Sequence, residues 1–138
     1  MSGVTVVVPT YNEAENISVL VERLLALEPQ VDVLVVDDHS PDGTGSIAQG
    51  MAEREPRLTV IDRSGPRGYA RASIEGLRAA IARGGEFVCT MDADLSHDPD
   101  VLPGLVERAR AGADLVIGSR YVDGGELVVD WGPVRRAV

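Results

Sequence analysis

Lysine is missing from this 138-residue sequence, and cysteine, phenylalanine and tryptophan occur once each. The absence of lysine excludes every mechanism that depends on a lysine side chain. The single cysteine, Cys89, excludes an internal disulfide and a cysteine-based zinc site. Cys89 lies in the apolar run Phe87–Cys89, so we expect it to be a small core residue.

Long apolar runs, a secretion signal and an excess of positive charge are missing as well. No apolar stretch approaches the ~20 residues of a membrane-spanning helix. Met1–Gly3 leads into a strand-like run without a basic segment, so we expect a cytoplasmic protein. Thirteen arginines against 22 acidic residues give a net charge of −9. A general nucleic-acid binder is usually basic, and we therefore expect no nucleic-acid partner.

Short apolar runs alternate with helical patterns along the sequence, which predicts one α/β domain. Helical patterns separate the runs, and Gly, Pro or Asp residues end most of them. Strands are predicted at Val4–Val8, Val31–Val36, Leu58–Ile61, Phe87–Met91 and Leu115–Ile117. Apolar strands joined by helices indicate a parallel sheet with helices on both faces. Ligands bind such sheets at the carboxyl ends of the strands.

Three of the loops that follow these strands are rich in acidic and polar residues: Pro9–Glu13, Asp37–Asp42 and Asp92–His97. Any one of these residues is easily explained as a helix cap or a turn former. Three such loops at one edge of one sheet indicate a functional site. The lone histidines His39 and His97 lie outside any metal-ligand pattern, and we interpret them as solvated or capping residues.

The sharpest pattern is Asp92-Ala93-Asp94, directly after a predicted strand. Two carboxylates at this spacing suit a hard divalent cation, Mg²⁺ or Mn²⁺, held together with substrate phosphates. Asp37-Asp38 could accept hydrogen bonds from a nucleobase or ribose, or simply form a turn. Arg120 could contact a phosphate. The basic loop Gly65–Gly68 could approach phosphates or be a surface turn.

Two families with alternating folds fit the sequence poorly. A response-regulator receiver domain needs a lysine after a late strand and an acid pair after the first strand. This chain has no lysine, and its acid pair follows the second strand. A dinucleotide oxidoreductase needs Gly-x-Gly-x-x-Gly after the first strand, where Pro9–Glu13 stands instead.

Three motifs together resemble glycosyltransferase family 2: Val6–Glu13, Val35–Thr44 and Met91–His97. Ser40–Thr44, Ser96–Pro99 and Gly118–Gly125 resemble its polyprenol (dolichyl) phosphate mannose synthase subgroup. The resemblance covers nearly the whole chain and implies the nucleotide-diphospho-sugar transferase (GT-A, Rossmann-like) fold. One departure is Gly68-Tyr69-Ala70, where relatives usually read Gly-Leu-Gly.

The resemblance also implies roles for residues at matching positions. Asp94 and Arg120 are implied to be catalytic. The implied nucleotide site consists of Pro9, Tyr11, Glu13, Asp37, Asp38, Gly68, Asp92 and Ala93. The implied metal ligands are Asp92, Asp94 and Ser96, and the implied contacts of the acceptor phosphate are Arg120, Trp131 and Arg135.

The implied reaction is inverting transfer of mannose from GDP-mannose to a polyprenyl phosphate lipid, at the inner face of a membrane or on a membrane-embedded partner. The alternatives are another donor such as UDP-glucose, a glycan acceptor, or a catalytically silent nucleotide-binding fragment. Residues 1–118 would form the nucleotide-sugar-binding domain, and 119–138 would begin an acceptor-side segment. Since family members extend well past Val138, we expect the sequence to be truncated at its C-terminus.

Overall fold

The computed structural model describes residues 3–119 and 121–122, and strands alternate with helices along this part of the chain. The strands are β1 (Val4–Thr10), β2 (Asp32–Asp37), β3 (Leu58–Asp62) and β4 (Phe87–Thr90). The helices are α1 (Ile17–Leu25), α2 (Thr44–Ala52), α3 (Tyr69–Ala82) and α4 (Leu102–Arg110), and a short 3-10 helix (Pro99–Val101) precedes α4. Four of the five predicted strands are therefore confirmed.

The strands form one parallel sheet in the order β3-β2-β1-β4. Side chains alternate between the two faces, as they do along any strand. One face of the sheet packs against α1, α2 and α4, and the other packs against α3. This arrangement confirms the predicted parallel sheet with helices on both faces.

The prediction that β1 ends at Val8 is wrong, because the strand continues through Pro9 to Thr10. Proline has no N–H to donate and usually interrupts a central strand. Here β4 pairs with β1 only as far as Val7, opposite Thr90. Pro9 therefore lies beyond the end of that ladder, and β1 can carry Thr10 to the edge of the sheet.

The prediction of a fifth strand at Leu115–Ile117 is also wrong. These residues have no regular secondary structure, and Leu115 and Ile117 are 78% and 74% exposed. An apolar run becomes a strand only where a neighbouring strand supplies hydrogen bonds and a packing surface. None of the described strands pairs with this run.

Ala70, Ile74, Leu77 and Ile81 recur at helical spacing within α3, but they do not form the face that the helix buries. Ile74 is 49% exposed and Ile81 is 65% exposed. The residues that α3 buries are small: Ala72, Gly76 and Ala80. Within the described part of the chain, no helix has the length and apolar character needed to cross a bilayer.

Candidate functional site

A cleft of about 360 Å³ opens at the carboxyl ends of the strands, where the sequence analysis places the site. Its walls are formed by Pro9, Thr10, Tyr11, Glu13, Asp38, Arg67, Gly68, Tyr69, Ala72 and Asp92. The cleft thus brings together six of the eight residues predicted to line a nucleotide: Pro9, Tyr11, Glu13, Asp38, Gly68 and Asp92. The other two, Asp37 and Ala93, do not line it.

The two loops that follow β1 and β2 are joined by hydrogen bonds. The backbone N–H of Glu13 donates to the Thr44 hydroxyl at 2.9 Å, and that of Ala14 donates to Asp42 at 3.0 Å. Thr44 also donates to Asp42, which is the main reason that the pKa of the Asp42 carboxyl lies below its ordinary value. The loop carrying Tyr11 is therefore fixed to the start of α2.

Asp37 lies beneath the cleft rather than in its wall. It is 2% exposed, and its carboxylate accepts hydrogen bonds from the Thr10 hydroxyl at 2.7 Å and from the Ser40 backbone and hydroxyl at 2.8 and 2.6 Å. These contacts tie the end of β1 to the loop after β2. In this structure the Asp37 carboxylate shapes the loop.

Asp38 lines the cleft and forms a buried ion pair with Arg63. Its other carboxylate oxygen accepts a hydrogen bond from the Gly68 backbone at 2.6 Å. Arg63 also donates to Glu75 at 2.8 Å. The carboxylates of Glu75 and Asp38 hold the pKa of the Arg63 guanidinium above its ordinary value, against the effect of burial. Asp38 thereby fixes the loop between β3 and α3.

Tyr11 and Arg67 form one wall of the cleft. The Arg67 guanidinium carbon lies 4.2 Å from the centre of the Tyr11 ring, and the guanidinium also donates to the Tyr11 hydroxyl. A cation over an aromatic face is an attractive arrangement. Arg67 brings a positive charge into the cleft of a protein whose net charge is −9.

Tyr69 and Asp92 meet across the cleft. The Tyr69 hydroxyl donates to Asp92 Oδ1 at 2.7 Å. Partial burial, followed by the Asp92 carboxylate, raises the pKa of the Tyr69 phenol. On its other side Asp92 contacts His97, since the Asp92 N–H donates to His97 Nδ1 at 3.2 Å. His97 thus caps a backbone N–H with a side chain that is 42% exposed, in agreement with its interpretation as a solvated or capping residue.

Asp94 and Ser96 continue the loop after β4. The Ser96 backbone N–H donates to Asp94 Oδ1 at 3.0 Å. Partial burial opposes ionisation of Asp94, but hydrogen bonds from Ser96 hold its pKa below the ordinary value. Ala93 between the two acids is 3% exposed and packs into the core. The two acids therefore flank a buried residue that anchors their loop.

The residues that could hold a divalent cation are Asp92, Asp94 and Ser96. Both acids offer carboxylate oxygens, the ligand type that Mg²⁺ and Mn²⁺ prefer, and 37% of the Asp92 side chain is exposed. No group of three or more histidine, cysteine or carboxylate side chains converges on one point in the described ranges. The donor set fits a cation that takes its remaining ligands from water and a substrate, as Mg²⁺ commonly does.

The three loops share a feature of the backbone. Within residues 3–119 and 121–122, the non-glycine residues with positive φ are Asn12, His39 and Leu95, one in each acid-rich loop. Asparagine tolerates this conformation, but leucine rarely adopts it. Leu95 packs against the core, which holds the turn between Asp94 and Ser96 in place. Unusual backbone of this kind is concentrated at functional sites.

Sequence reasoning missed four residues of the cleft wall: Thr10, Arg67, Tyr69 and Ala72. A signal existed for Arg67, because it lies in a basic, glycine-containing loop that could approach phosphates. Tyr69 stood out in the sequence only as part of the departure Gly68-Tyr69-Ala70, because its partner is 23 positions away. The predicted acceptor residues Arg120, Trp131 and Arg135 lie outside the described residues and remain predictions.

Known proteins are similar to this chain over nearly its whole length. The chain is 47% identical to a polyprenol monophosphomannose synthase of Mycolicibacterium smegmatis, over 96% of this chain and 50% of the relative. It is 45% identical to an undecaprenyl-phosphate mannosyltransferase of Micrococcus luteus, over 98% of this chain and 55% of the relative. The chain thus spans about half the length of these relatives.

A solved structure supports the same fold. A mannosyltransferase from Pyrobaculum calidifontis, in complex with GDP-Man and Mn²⁺, is 36% identical and superposes with a TM-score of 0.58, over 75% of this chain and 31% of that one. The predicted GT-A fold is confirmed by this likeness and by the parallel sheet. The sequence profile of glycosyl transferase family 2 matches residues 5–136. The chain therefore belongs to glycosyl transferase family 2.

Proposed function

We propose that this chain binds GDP-mannose in the cleft and belongs to an inverting glycosyltransferase that moves mannose to a polyprenyl phosphate. The observation that carries the proposal is the meeting of four strand-end loops around one cleft, to which they contribute Tyr11, Asp38, Arg67 and Asp92. The names of the two relatives support a polyprenyl phosphate acceptor, and the solved neighbour supports GDP-mannose as donor.

The wall formed by Tyr11 and Arg67 suits a nucleotide. An aromatic ring can stack on a base, and an arginine can donate two parallel hydrogen bonds to a phosphate. The Asp38–Arg63 pair fixes the loop that carries Arg67, so little ordering is needed when a ligand binds. Asp38 itself is already occupied by Arg63 and Gly68, and we assign it a supporting role.

Asp92, Asp94 and Ser96 would hold a divalent cation, for which the Mn²⁺ in the solved neighbour is support. When bound, Mg²⁺ or Mn²⁺ neutralises a diphosphate leaving group and acts as a template. Hydrogen bonds from Ser96 hold the pKa of the Asp94 carboxyl below its ordinary value, which favours the ionised form that a cation binds. The Tyr69 hydroxyl donates to the Asp92 carboxylate, and His97 accepts from the Asp92 backbone N–H, so this residue is held at both its side chain and its backbone.

The proposed acceptor needs no side-chain base. A phosphate monoester has a second pKa of ~6, so its oxygen is already an anion near neutral pH. The chain's remaining task is to position the acceptor and to stabilise charge. Arg120, with Trp131 and Arg135, is proposed to contact the acceptor phosphate. Attack from the side opposite the departing diphosphate inverts the anomeric carbon, and a lipid acceptor implies work at a membrane surface.

A transfer assay tests the proposal. The chain is incubated with GDP-mannose, a short polyprenyl phosphate in detergent micelles and Mn²⁺, and mannosylated lipid is measured by mass spectrometry. Asp94→Asn is the matched variant and is expected to form no product. UDP-glucose is tested in parallel.

Each outcome of this assay has a definite meaning. Mannosylated lipid that depends on Mn²⁺ and Asp94 supports the proposal. Product formed with UDP-glucose but not with GDP-mannose overturns the assignment of GDP-mannose as the donor. Binding of GDP-mannose without any transfer overturns the transferase assignment for this chain and leaves a nucleotide-binding module.

A further inference from the structure

Tyr69 is placed to control the orientation of Asp92. It is the first residue of α3, it lines the cleft, and its hydroxyl donates to Asp92 Oδ1 at 2.7 Å. The hydrogen bond joins the start of α3 to the loop after β4.

The backbone at Tyr69 is fixed by a hydrogen bond of the preceding residue. The preceding residue, Gly68, donates its backbone N–H to the buried carboxylate of Asp38 at 2.6 Å. Asp38 is in turn paired with Arg63, and both side chains are less than a tenth exposed. The Tyr69 backbone is therefore anchored to the end of β2, and its hydroxyl acts from a rigid support.

His97 holds the backbone of Asp92. The Asp92 N–H donates to His97 Nδ1 at 3.2 Å, so the neutral ring carries its proton on Nε2. His97 Nε2 lies 3.7 Å from Asp92 Oδ2. The hydrogen bond that reaches the Asp92 carboxylate comes from Tyr69, while the hydrogen bond to His97 comes from the Asp92 backbone.

Acceptor capacity remains on Asp92 after these contacts. A carboxylate has about four lone-pair positions, and the tyrosine hydroxyl occupies one of them. The Asp92 side chain is 37% exposed, so a cation can reach the free positions. Hydrogen bonds to a ligating carboxylate usually fix its orientation, and their loss weakens metal binding.

We propose that Tyr69 is a positioning residue that holds the Asp92 carboxylate in the orientation in which it binds a divalent cation. This inference rests on the proposed function, since the cation is the one that would accompany the nucleotide. Because Tyr69 is the first residue of α3, one acid of the pair after β4 would be oriented by a side chain from this helix.

The test is a titration of the chain with Mn²⁺ in the presence of saturating GDP, followed by electron paramagnetic resonance of free Mn²⁺. Tyr69→Phe removes only the hydroxyl that reaches Asp92. Ser73→Ala is the matched control, because the Ser73 hydroxyl donates to the Tyr69 backbone carbonyl, one turn along the same helix, and not to Asp92. Tyr69→Phe is expected to weaken Mn²⁺ binding about 10-fold, while Ser73→Ala keeps the affinity of the original chain.

The outcomes separate this inference from the function on which it rests. Unchanged or tighter Mn²⁺ binding by Tyr69→Phe overturns the role of Tyr69 and leaves the proposed function standing. Equal weakening by Ser73→Ala also overturns it, because the effect would then belong to the helix start in general. If the original chain, folded by circular dichroism, binds no Mn²⁺, both the inference and the proposed function fail.

Discussion

The neighbouring acids Asp37 and Asp38 have different structural roles. Asp37 accepts hydrogen bonds from Thr10 and Ser40 and shapes the loop after β2. Asp38 pairs with Arg63 and accepts from Gly68, so it holds the loop that carries Arg67. The two carboxylates point to different loops because adjacent residues at a strand end face opposite sides of the sheet.

Asp38→Ala is expected to destabilise the protein strongly. The substitution leaves the buried Arg63 with Glu75 as its remaining carboxylate partner and leaves the Gly68 N–H without its acceptor. Removing one partner of a buried ion pair is costly because the other charge stays desolvated. We expect the midpoint of thermal unfolding to fall by more than about 10 °C, measured by circular dichroism.

The control for this variant is Asp62→Ala. Asp62 pairs with His39, but the two side chains are 62% and 83% exposed. Exposed pairs contribute little to stability, so we expect the thermal midpoint to stay close to that of the original chain. Equal losses in the two variants would contradict the structural role given to Asp38.

The thiol of Cys89 is expected to be nearly inert in the folded protein. Burial raises the pKa of this thiol to about 12, from an ordinary value of 9.0. At pH 8 the folded chain therefore holds on the order of 1,000-fold less thiolate than the unfolded chain, and thiolate is the reactive form. Alkylation by iodoacetamide, followed by mass spectrometry with and without denaturant, measures the difference.

The same pKa has a consequence for stability at high pH. Because the pKa of the Cys89 thiol is higher in the folded state, its contribution to the free energy of unfolding is complete below pH 9.0. This contribution is lost as the pH rises toward about 12. The pH dependence of unfolding by denaturant over this range checks the sign. Alkylation of the folded chain at the rate of the unfolded chain would contradict the burial of Cys89.

Residue patterns predicted most of the cleft wall but not the partners inside it. The strand-end rule selected the loops that carry Pro9, Tyr11 and Asp92, and the family resemblance implied their roles. It could not distinguish the role of Asp37 from that of Asp38, since the sequence does not show which carboxylate accepts its hydrogen bonds from within the protein. The contact of Tyr69 with Asp92 depends on the close approach of two distant segments, which no local pattern encodes.

Among the packing contacts of helices and strands, the close approach of α3 to the sheet has the largest effect on the cleft. Gly76 lies so close to β1 and β2 that a Cβ there would come within 2.3 Å of Val7 Cγ1 and 2.8 Å of Val36 Cγ2. Both distances are far below an ordinary contact. The small residues Ala72, Gly76 and Ala80 allow this approach, and it places the start of α3 beside the cleft.

Gly76→Ala is therefore expected to lower the free energy of unfolding. Overpacking of this kind costs about 1–3 kcal/mol, and the better helix propensity of alanine offsets about 1 kcal/mol of that loss. Denaturant unfolding followed by circular dichroism measures the net change. A stabilised Gly76→Ala would show that α3 does not approach the sheet this closely.

Gly50→Ala provides the matched control in another helix. Gly50 lies inside α2, and a Cβ there would meet nothing within 4 Å. Only the helix propensity changes, so this variant is expected to gain about 0.5–1 kcal/mol. The two glycine substitutions should thus change stability in opposite directions.

Periodicity predicted the order of the elements well and their surfaces poorly. The apolar stripe of α3 indicated a helix, but close packing selected the small face and left Ile74 and Ile81 exposed. The apolar run Leu115–Ile117 matched a strand, yet strand formation depends on a neighbour that the run itself does not encode. Local patterns describe what a segment can form, and its partners decide which surface it buries.

The whole molecule combines a strong negative charge with a cleft that suits an anionic ligand. The net charge is −9, so binding of a nucleotide diphosphate requires positive charge placed locally. Arg67 supplies one such charge within the cleft. A divalent cation at Asp92 and Asp94 would supply the remainder, which makes the proposed binding dependent on metal.

Calorimetric titration of the chain with GDP, with and without Mn²⁺, measures whether the cleft binds a nucleotide together with a divalent cation. We predict binding that requires Mn²⁺, that is lost in Asp94→Asn, and that is tighter for GDP than for UDP. Circular dichroism shows that each sample is folded. GDP binding that is equally strong without Mn²⁺ or in Asp94→Asn, or no binding by the folded chain, would contradict the account.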